Sequence, residues 1–324
     1  MRWALTSFSP ECAYNRIQLP LLGAVETGNG VRRQQVEDDM AYGPQVSLEW
    51  QRLGAFPATA LRRARLQAHA ALQPLVQVTR GYVPSRADDS HNSFSWSPRL
   101  NALLSGEIAA GTLPFRLGLR LATLTLLAVG RDSLELGSSS LHGKTLPQER
   151  TWLSFRLAEA GLDWAVLEKP LHYGVATNEF LEGLPFEVTE ELSELARYYG
   201  NTALVLNGLA DVLPGASPVR CWPRDFDIAT LQPLGNGQRS LRAGLSPGDA
   251  SYNQPYFYVI PSPVNPSMAL PVIKSGGQWH TENWTGAVLT GEDIVRQGDA
   301  GEQAAFVTTW LNEAMEAARM AIAK

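Results

Sequence analysis

Cysteine is scarce in this chain. There are two in 324 residues, Cys12 and Cys221, and they stand far apart. A disulfide framework is not expected, and a reduced cytoplasmic setting suits the count. Charge is also sparse, at 18% Asp, Glu, Lys and Arg with a formal net charge of −5. A nucleic-acid partner, which needs a clustered basic surface, is not expected. No run approaches the roughly 20 apolar residues that cross a bilayer, so no membrane association is expected. The opening MRWALTSFSPECAYN has neither a basic start nor an apolar core, so it does not read as a secretory signal. The sequence holds no Walker loop, CxxC, HExxH or EF-hand loop, and Gly235-x-Gly237 lacks the rest of a dinucleotide fingerprint. No cofactor is implied.

What is present is a globular composition. Hydrophobic residues make up 44% of the chain, which excludes wholesale disorder. The length allows one large or two ordinary domains. The nine tryptophans belong in a core or along a groove.

Residues 1–56 read as a poorly defined arm, with scattered Gly and Pro, a charged run at 32–39 and short apolar pieces at 17–25 and 46–50 that could be strands. Helical spacing of Leu61, Ala64, Ala68, Ala71, Leu72, Leu75 and Val76 predicts a helix over 59–78, kinked or ended by Pro74. Residues 115–129 read as one strand with both faces partly apolar, followed by a Gly130-Arg131-Asp132 turn and a second strand at 133–136. A helix is expected over 151–160, closed by Gly161. Thr189, followed by Glu190 and Glu191, starts another that ends at Pro214-Gly215. Strands follow at 218–222, 226–231, 239–245, 255–260 and 285–289, then a last helix over 301–323. Strands joined by short links and flanked by helices predict an α+β fold on mostly antiparallel sheet.

The layout hints at duplication. A first half at 57–186 and a second at 187–324 each open on a helix, pass a Trp-containing segment (Trp96 and Trp222), continue through strands and close on a Thr-Trp-Leu helix. Related halves would pack about a pseudo-twofold axis, with a groove between them suited to a ligand.

Chemistry-bearing residues concentrate in 217–259. Arg220, Arg224, Arg239 and Arg242 could hold an anion, since the guanidinium fork suits carboxylate or phosphate. Trp96, Trp222, Tyr252, Tyr256, Tyr258, Trp279 and Trp284 could line a cleft, with Asp225, Asp227, Asp249, His91, His280 and Glu282 as polar contacts. The bland alternative is that these arginines pair with the aspartates and the aromatics fill a core. A small polar or anionic ligand is the leading expectation. A metal-assisted hydrolase using Asp225, Asp227, Asp249, His280 and Glu282 is the rival, since strand spacing would put Asp225 beside Asp227 and His280 beside Glu282. A protein-interaction role is the third reading. Gly244-Leu245-Ser246-Pro247-Gly248 matches a nucleophile elbow in letters only, because a turn and not a helix should follow. Cys221, although between Arg220 and Trp222, reads as a buried structural thiol.

The string Trp222-Pro223-Arg224-Asp225-Phe226-Asp227, then Gly244-Leu245-Ser246-Pro247-Gly248-Asp249 and the Tyr-rich strand after it, resembles a bacterial family of uncharacterised proteins. Asp88-Asp89-Ser90-His91 and Trp96 resemble its N-terminal half, so the likeness spans about residues 60–320. The resemblance marks a family and implies no activity. That family's pattern has histidines at the places held here by Arg224 and Asp225, so a base or ligand role does not carry over to them.

Overall fold

The computed structural model describes residues 49–323 apart from 110, 112 and 265–268, and the fold is α+β, with two antiparallel sheets flanked by helices. The strands expected at 17–25 and most of the one at 46–50 lie outside the described residues. The described part of the N-terminal arm is not loose, because Trp50 and Leu53 are buried in the core.

Helix α1 (Arg62–Tyr82) follows a 3-10 turn at Ala58–Leu61. It runs through Pro74, against expectation. The proline removes the donor that would meet the Ala70 carbonyl, and the neighbouring His69 carbonyl accepts from Gln73 Nε2 (3.0 Å). Ala68, Ala71, Leu72, Leu75 and Val76 are fully buried, and their packing carries the helix past the break.

The first sheet runs β1 (Ser95–Ser97), β2 (Ala102–Leu104), β3 (Arg116–Arg120), β4 (Thr125–Val129), β5 (Glu135–Ser140) in that spatial order. The single strand expected at 115–129 is therefore a hairpin. Its turn, Leu121–Thr123, carries no Gly, Asn or Pro, and Leu124 takes φ 41, a left-handed conformation uncommon for leucine. Leu121 and Leu124 are fully buried, and the turn packs under a later helix, so burial holds what turn chemistry does not. Helix α2 (Leu146–Glu159) begins five residues earlier than expected, on a capping box of Thr145 and Gln148.

Helix α3 (Glu190–Val212) starts after Thr189, as expected, although the threonine hydroxyl makes no capping bond. The second sheet contains β6 (Arg220–Trp222), β7 (Asp227–Leu234), β8 (Arg239–Ser246), β9 (Tyr256–Ser262), β10 (Gln278–His280) and β11 (Gly286–Thr290), ordered β10-β11-β9-β8-β7-β6. A short α4 (Gly291–Val295) leads into α5 (Ala300–Ala321), which starts on an Asp299–Glu302 capping box. The sheets meet edge to edge where Phe94 and Cys221 exchange both backbone hydrogen bonds (2.9 and 2.7 Å). Helix α3 packs across that junction on β1, β7 and β8, and α5 packs on β8, β9 and β11. This inner face is one continuous core. The opposite, outer face carries two separate small clusters, one on each sheet.

The two sheets share details of register. Four residues connect Ser97 to Ala102 and four connect Trp222 to Asp227. Each connection begins Pro-Arg and ends on a left-handed residue, Asn101 (φ 49) or Phe226 (φ 55). Gly118 pairs with Leu104 and Leu127, and Gly244 with Ala229 and Tyr258. Both glycines lie in an Arg-x-Gly-Leu string, Arg116 to Leu119 and Arg242 to Leu245. The two Thr-Trp-Leu segments are less alike: Trp310 is fully buried, whereas Trp152 is half-buried.

Candidate functional site

The outer face of the second sheet gathers most of the chemistry-bearing residues. Alternation along the strands brings Trp222, Asp227, Arg242, Tyr256, Tyr258 and His280 to this side. Asp227 is buried there (4% exposed). Its Oδ2 accepts from Arg242 Nη2 (2.6 Å) and from the Tyr258 hydroxyl, and its Oδ1 is enclosed without a hydrogen-bond partner. Burial pushes the carboxyl pKa up, assisted by the negative charge of Asp225, against the pull of Arg242 and the Tyr258 bond. Burial likewise drives the Tyr258 phenol well above its ordinary value. The Arg242 guanidinium lies over the Tyr258 ring, 5.8 Å from its centroid, and is about one-third exposed.

Beside this trio stands an aromatic group. Tyr256 donates to Asp249 Oδ2 (2.6 Å), and its pKa is raised by burial and then by Asp249. Asp249 Oδ1 accepts from the backbone of Ser251 (2.7 Å) and Tyr252 (3.1 Å), folding the turn on itself. The Tyr252 hydroxyl meets His280 Nδ1 at 3.2 Å, and the His280 and Trp284 rings are 4.2 Å apart. Tyr252, His280 and Trp284 remain partly exposed.

Several expected neighbours are elsewhere. Asp225 lies in the β6–β7 turn and pairs with Arg224 Nη2 (3.0 Å), so it does not share a strand face with Asp227. That bond, first of all, raises the Arg224 pKa. Glu282 lies beyond the short β10, and its backbone carbonyl, not its carboxylate, meets His280 Nε2 (2.6 Å). Trp96 and Trp279 face the inner core, Trp96 against Gly200 and Tyr199 of α3. His91 is buried away from the sheet, where Nδ1 accepts from the Arg86 amide (3.2 Å) and Nε2 meets Asn92 (3.2 Å). Arg220, by contrast, shares the outer face with Trp222, at the β6 edge, where it reaches Ser93 Oγ (3.4 Å), with its pKa lowered by burial. Arg239 holds the Ile322 carbonyl at the end of α5 (2.8 Å). Among the described residues, no three His, Cys, Asp or Glu side chains converge as a metal-ligand set. Ser246 ends β8 and accepts from the Gly248 amide (3.1 Å) in a turn, so no nucleophile elbow forms. Burial drives the Cys221 thiol pKa well up, which suits a structural thiol.

Sequence reading missed the residues that fasten this face to the helical layer. Helix α1 carries Arg65, His69, Gln73 and Gln77 at four-residue spacing, one polar row along its inner side. His69 Nε2 (2.8 Å) and Gln73 Nε2 (3.1 Å) both donate to the Pro223 carbonyl, fixing the β6–β7 turn. Gln73 Oε1 accepts from Tyr173 (2.9 Å), and Gln77 donates to the Lys169 carbonyl. Arg65 lies where a Gly248 side chain would be. It is buried, and its pKa is lowered by burial first and raised by Asp249. The i, i+4 polar row was the available signal.

Comparison with protein-family models, curated proteins and solved structures gives no match. The chemistry of the chain therefore rests on its own residues.

Proposed function

We propose that the chain is a duplicated α+β protein, divided near residue 187, whose second half binds a small polar or anionic ligand on the outer face of its sheet. Arg242, with Arg224 at the rim, supplies the cationic fork. Trp222 on one side, and Tyr252, His280 and Trp284 on the other, supply aromatic walls.

The observation that carries this reading is an internal control. Aligned on Gly118 and Gly244, the first half has Ala102 where the second has Asp227, and Leu127 where it has Tyr258. With Leu104 and Val129 those residues make a small dry cluster. The same sheet position keeps an arginine, Arg116, but has apolar side chains where the second half has its carboxylate and phenol. A buried carboxylate is no better for stability than such packing, so Asp227 and Tyr258, set beside Arg242, point to ligand chemistry. The rival metal-assisted hydrolase has no ligand set among the described residues to support it. No described helix is long and apolar enough to cross a membrane, and a buried free Cys221 fits a reducing cytoplasmic location.

Thermal melts in millimolar inorganic phosphate, acetate and benzoate test the reading. At least one anion is expected to raise Tm saturably in the wild type and to lose that effect in Arg242→Met and Trp222→Ala variants that still melt cooperatively. A shift that survives both substitutions, or none with any of the three anions, sinks the anionic reading.

A further inference from the structure

Residues 50–54 are held in the seam between α3 and α5 by side chains, not by a neighbouring strand. Asn201 on α3 accepts from the Gln51 amide (2.8 Å) and donates to the Gln51 carbonyl (2.7 Å). Gln303 on α5 repeats the pattern two residues on, accepting from the Leu53 amide (2.8 Å) and donating to its carbonyl (3.0 Å). Glu194 accepts from the Gly54 amide (2.5 Å), and Trp50 Nε1 donates to Gln303 Oε1 (3.2 Å). Glu194, Asn201 and Gln303 are all at most 2% exposed. Trp50 and Leu53 are buried, whereas Gln51 and Arg52 face solvent. Gly54 has φ 108, and a Cβ there would meet Val295 Cγ1 at 2.7 Å. Amides that satisfy alternate backbone groups, with buried seats for the first and fourth side chains, are the parts of a groove that reads an extended peptide.

We propose that this seam is a recognition site for an extended Trp-x-x-Leu-Gly peptide, occupied in cis by the chain's own residues 50–54. Chain direction extends the motif. From Gly54 back to Gln51 the contacts climb α3 from Glu194 to Asn201. Peptide positions before the tryptophan therefore run on toward Val205, Leu209 and Val212, where an open groove of about 260 Å³ lies between α3 and α5. The fitting partner carries apolar residues before its tryptophan. Emptying the seam takes the Gln51 bonds from Asn201 and leaves Glu194 only its Arg197 pair (3.0 Å) and Gln303 only the Gly298 carbonyl (3.4 Å), so the site favours a backbone that satisfies them and whose side chains fill the Trp50 and Leu53 seats. In the wild type the tethered segment is present at an effective concentration in the millimolar range and excludes competitors.

The test uses the full chain and a fluorescein-labelled peptide of residues 45–56. A Trp50→Ala, Leu53→Ala double variant is expected to bind the peptide saturably by fluorescence anisotropy, at least tenfold more tightly than the wild-type chain does. A peptide with the same two alanines should not bind. Where the double variant does not fold, Gly54→Ala, which weakens the seat but keeps both anchors, takes its place, and a peptide-dependent rise in Tm is measured. A folded variant that ignores the peptide, or takes the alanine peptide equally well, overturns the proposal.

Discussion

Tyr258 on β9 reaches across Gly244 of β8 to donate its hydroxyl to Asp227 on β7, two strands away. The contact exists because the residue between them has no side chain. A Cβ on Gly244 would lie 2.5 Å from the Tyr258 hydroxyl and 2.8 Å from the Ala229 Cβ. Gly244→Ala is therefore expected to cost about 1–3 kcal/mol by overpacking, read as a lower urea midpoint. It should also abolish any anion-dependent rise in Tm, because Tyr258 and Asp227 can no longer meet. A variant as stable as the wild type would mean that the ring has room to move aside.

Removing Asp227 alone should be worse than removing it together with its partner. Asp227→Ala leaves the fully buried Tyr258 hydroxyl without its acceptor and Arg242 without its carboxylate. The expected cost is about 2–4 kcal/mol. Asp227→Ala combined with Tyr258→Leu rebuilds the Ala102 and Leu127 pattern of the first half. The pair should cost less than the sum of the single changes by at least about 1 kcal/mol. Additive costs, measured by chemical denaturation, would remove the internal control on which the functional reading stands.

Glu149 on α2 supplies a pH dependence separate from the site. It is fully buried, neither carboxylate oxygen has a hydrogen-bond partner, and burial drives its pKa well above 4.5. The folded state thus favours the protonated acid. Its full stability holds below the unfolded value and is lost as pH rises from there toward the folded value. Glu149→Gln keeps a neutral side chain, so it should be more stable than the wild type at pH 7–8 and nearly equal near pH 4. The gap should open by about 1.4 kcal/mol per pH unit until the folded pKa is reached. Urea melts across pH 4–8 decide this, and a gap that does not widen would mean the carboxylate is ionised inside the fold.

The strands that carry the site were legible because their alternation and their Gly-Pro turns are local signals. The 239–245 strand was expected within one residue of its observed end. The hairpin at Leu121–Leu124 was not legible, since its left-handed leucine is held by burial under α3 and not by turn residues. Asp225 and Glu282 were misplaced for a related reason. Period-two spacing puts residues on one face only where the strand continues, and here β7 begins at Asp227 and β10 ends at His280. The links from His69 and Gln73 to Pro223 span about 150 residues. No local pattern reports such a contact, although a polar row on a buried helix face announces that one exists.

Arg65, the first member of that row, gives the last prediction. Gly248 has φ 109, a region that side-chain-bearing residues rarely adopt, and a Cβ there would meet the Arg65 guanidinium and, at 3.0 Å each, the Gln254 and Tyr252 carbonyls. Gly248→Ala therefore carries two separable penalties, backbone strain of about 1–3 kcal/mol and a clash. Arg65→Ala removes only the guanidinium. In the Arg65→Ala background the glycine substitution should thus cost less than in the wild type, yet still more than the strain-free value of zero, because φ and the two carbonyls are unchanged. A double-mutant cycle measures the difference. A cost that is equal in both backgrounds would mean that Arg65 yields freely to the new methyl and does not brace the turn. In that case Asp249 and Tyr256 would depend on the turn's own hydrogen bonds alone, and hydrogen exchange at Ser251 and Tyr252 would not change when Arg65 is removed.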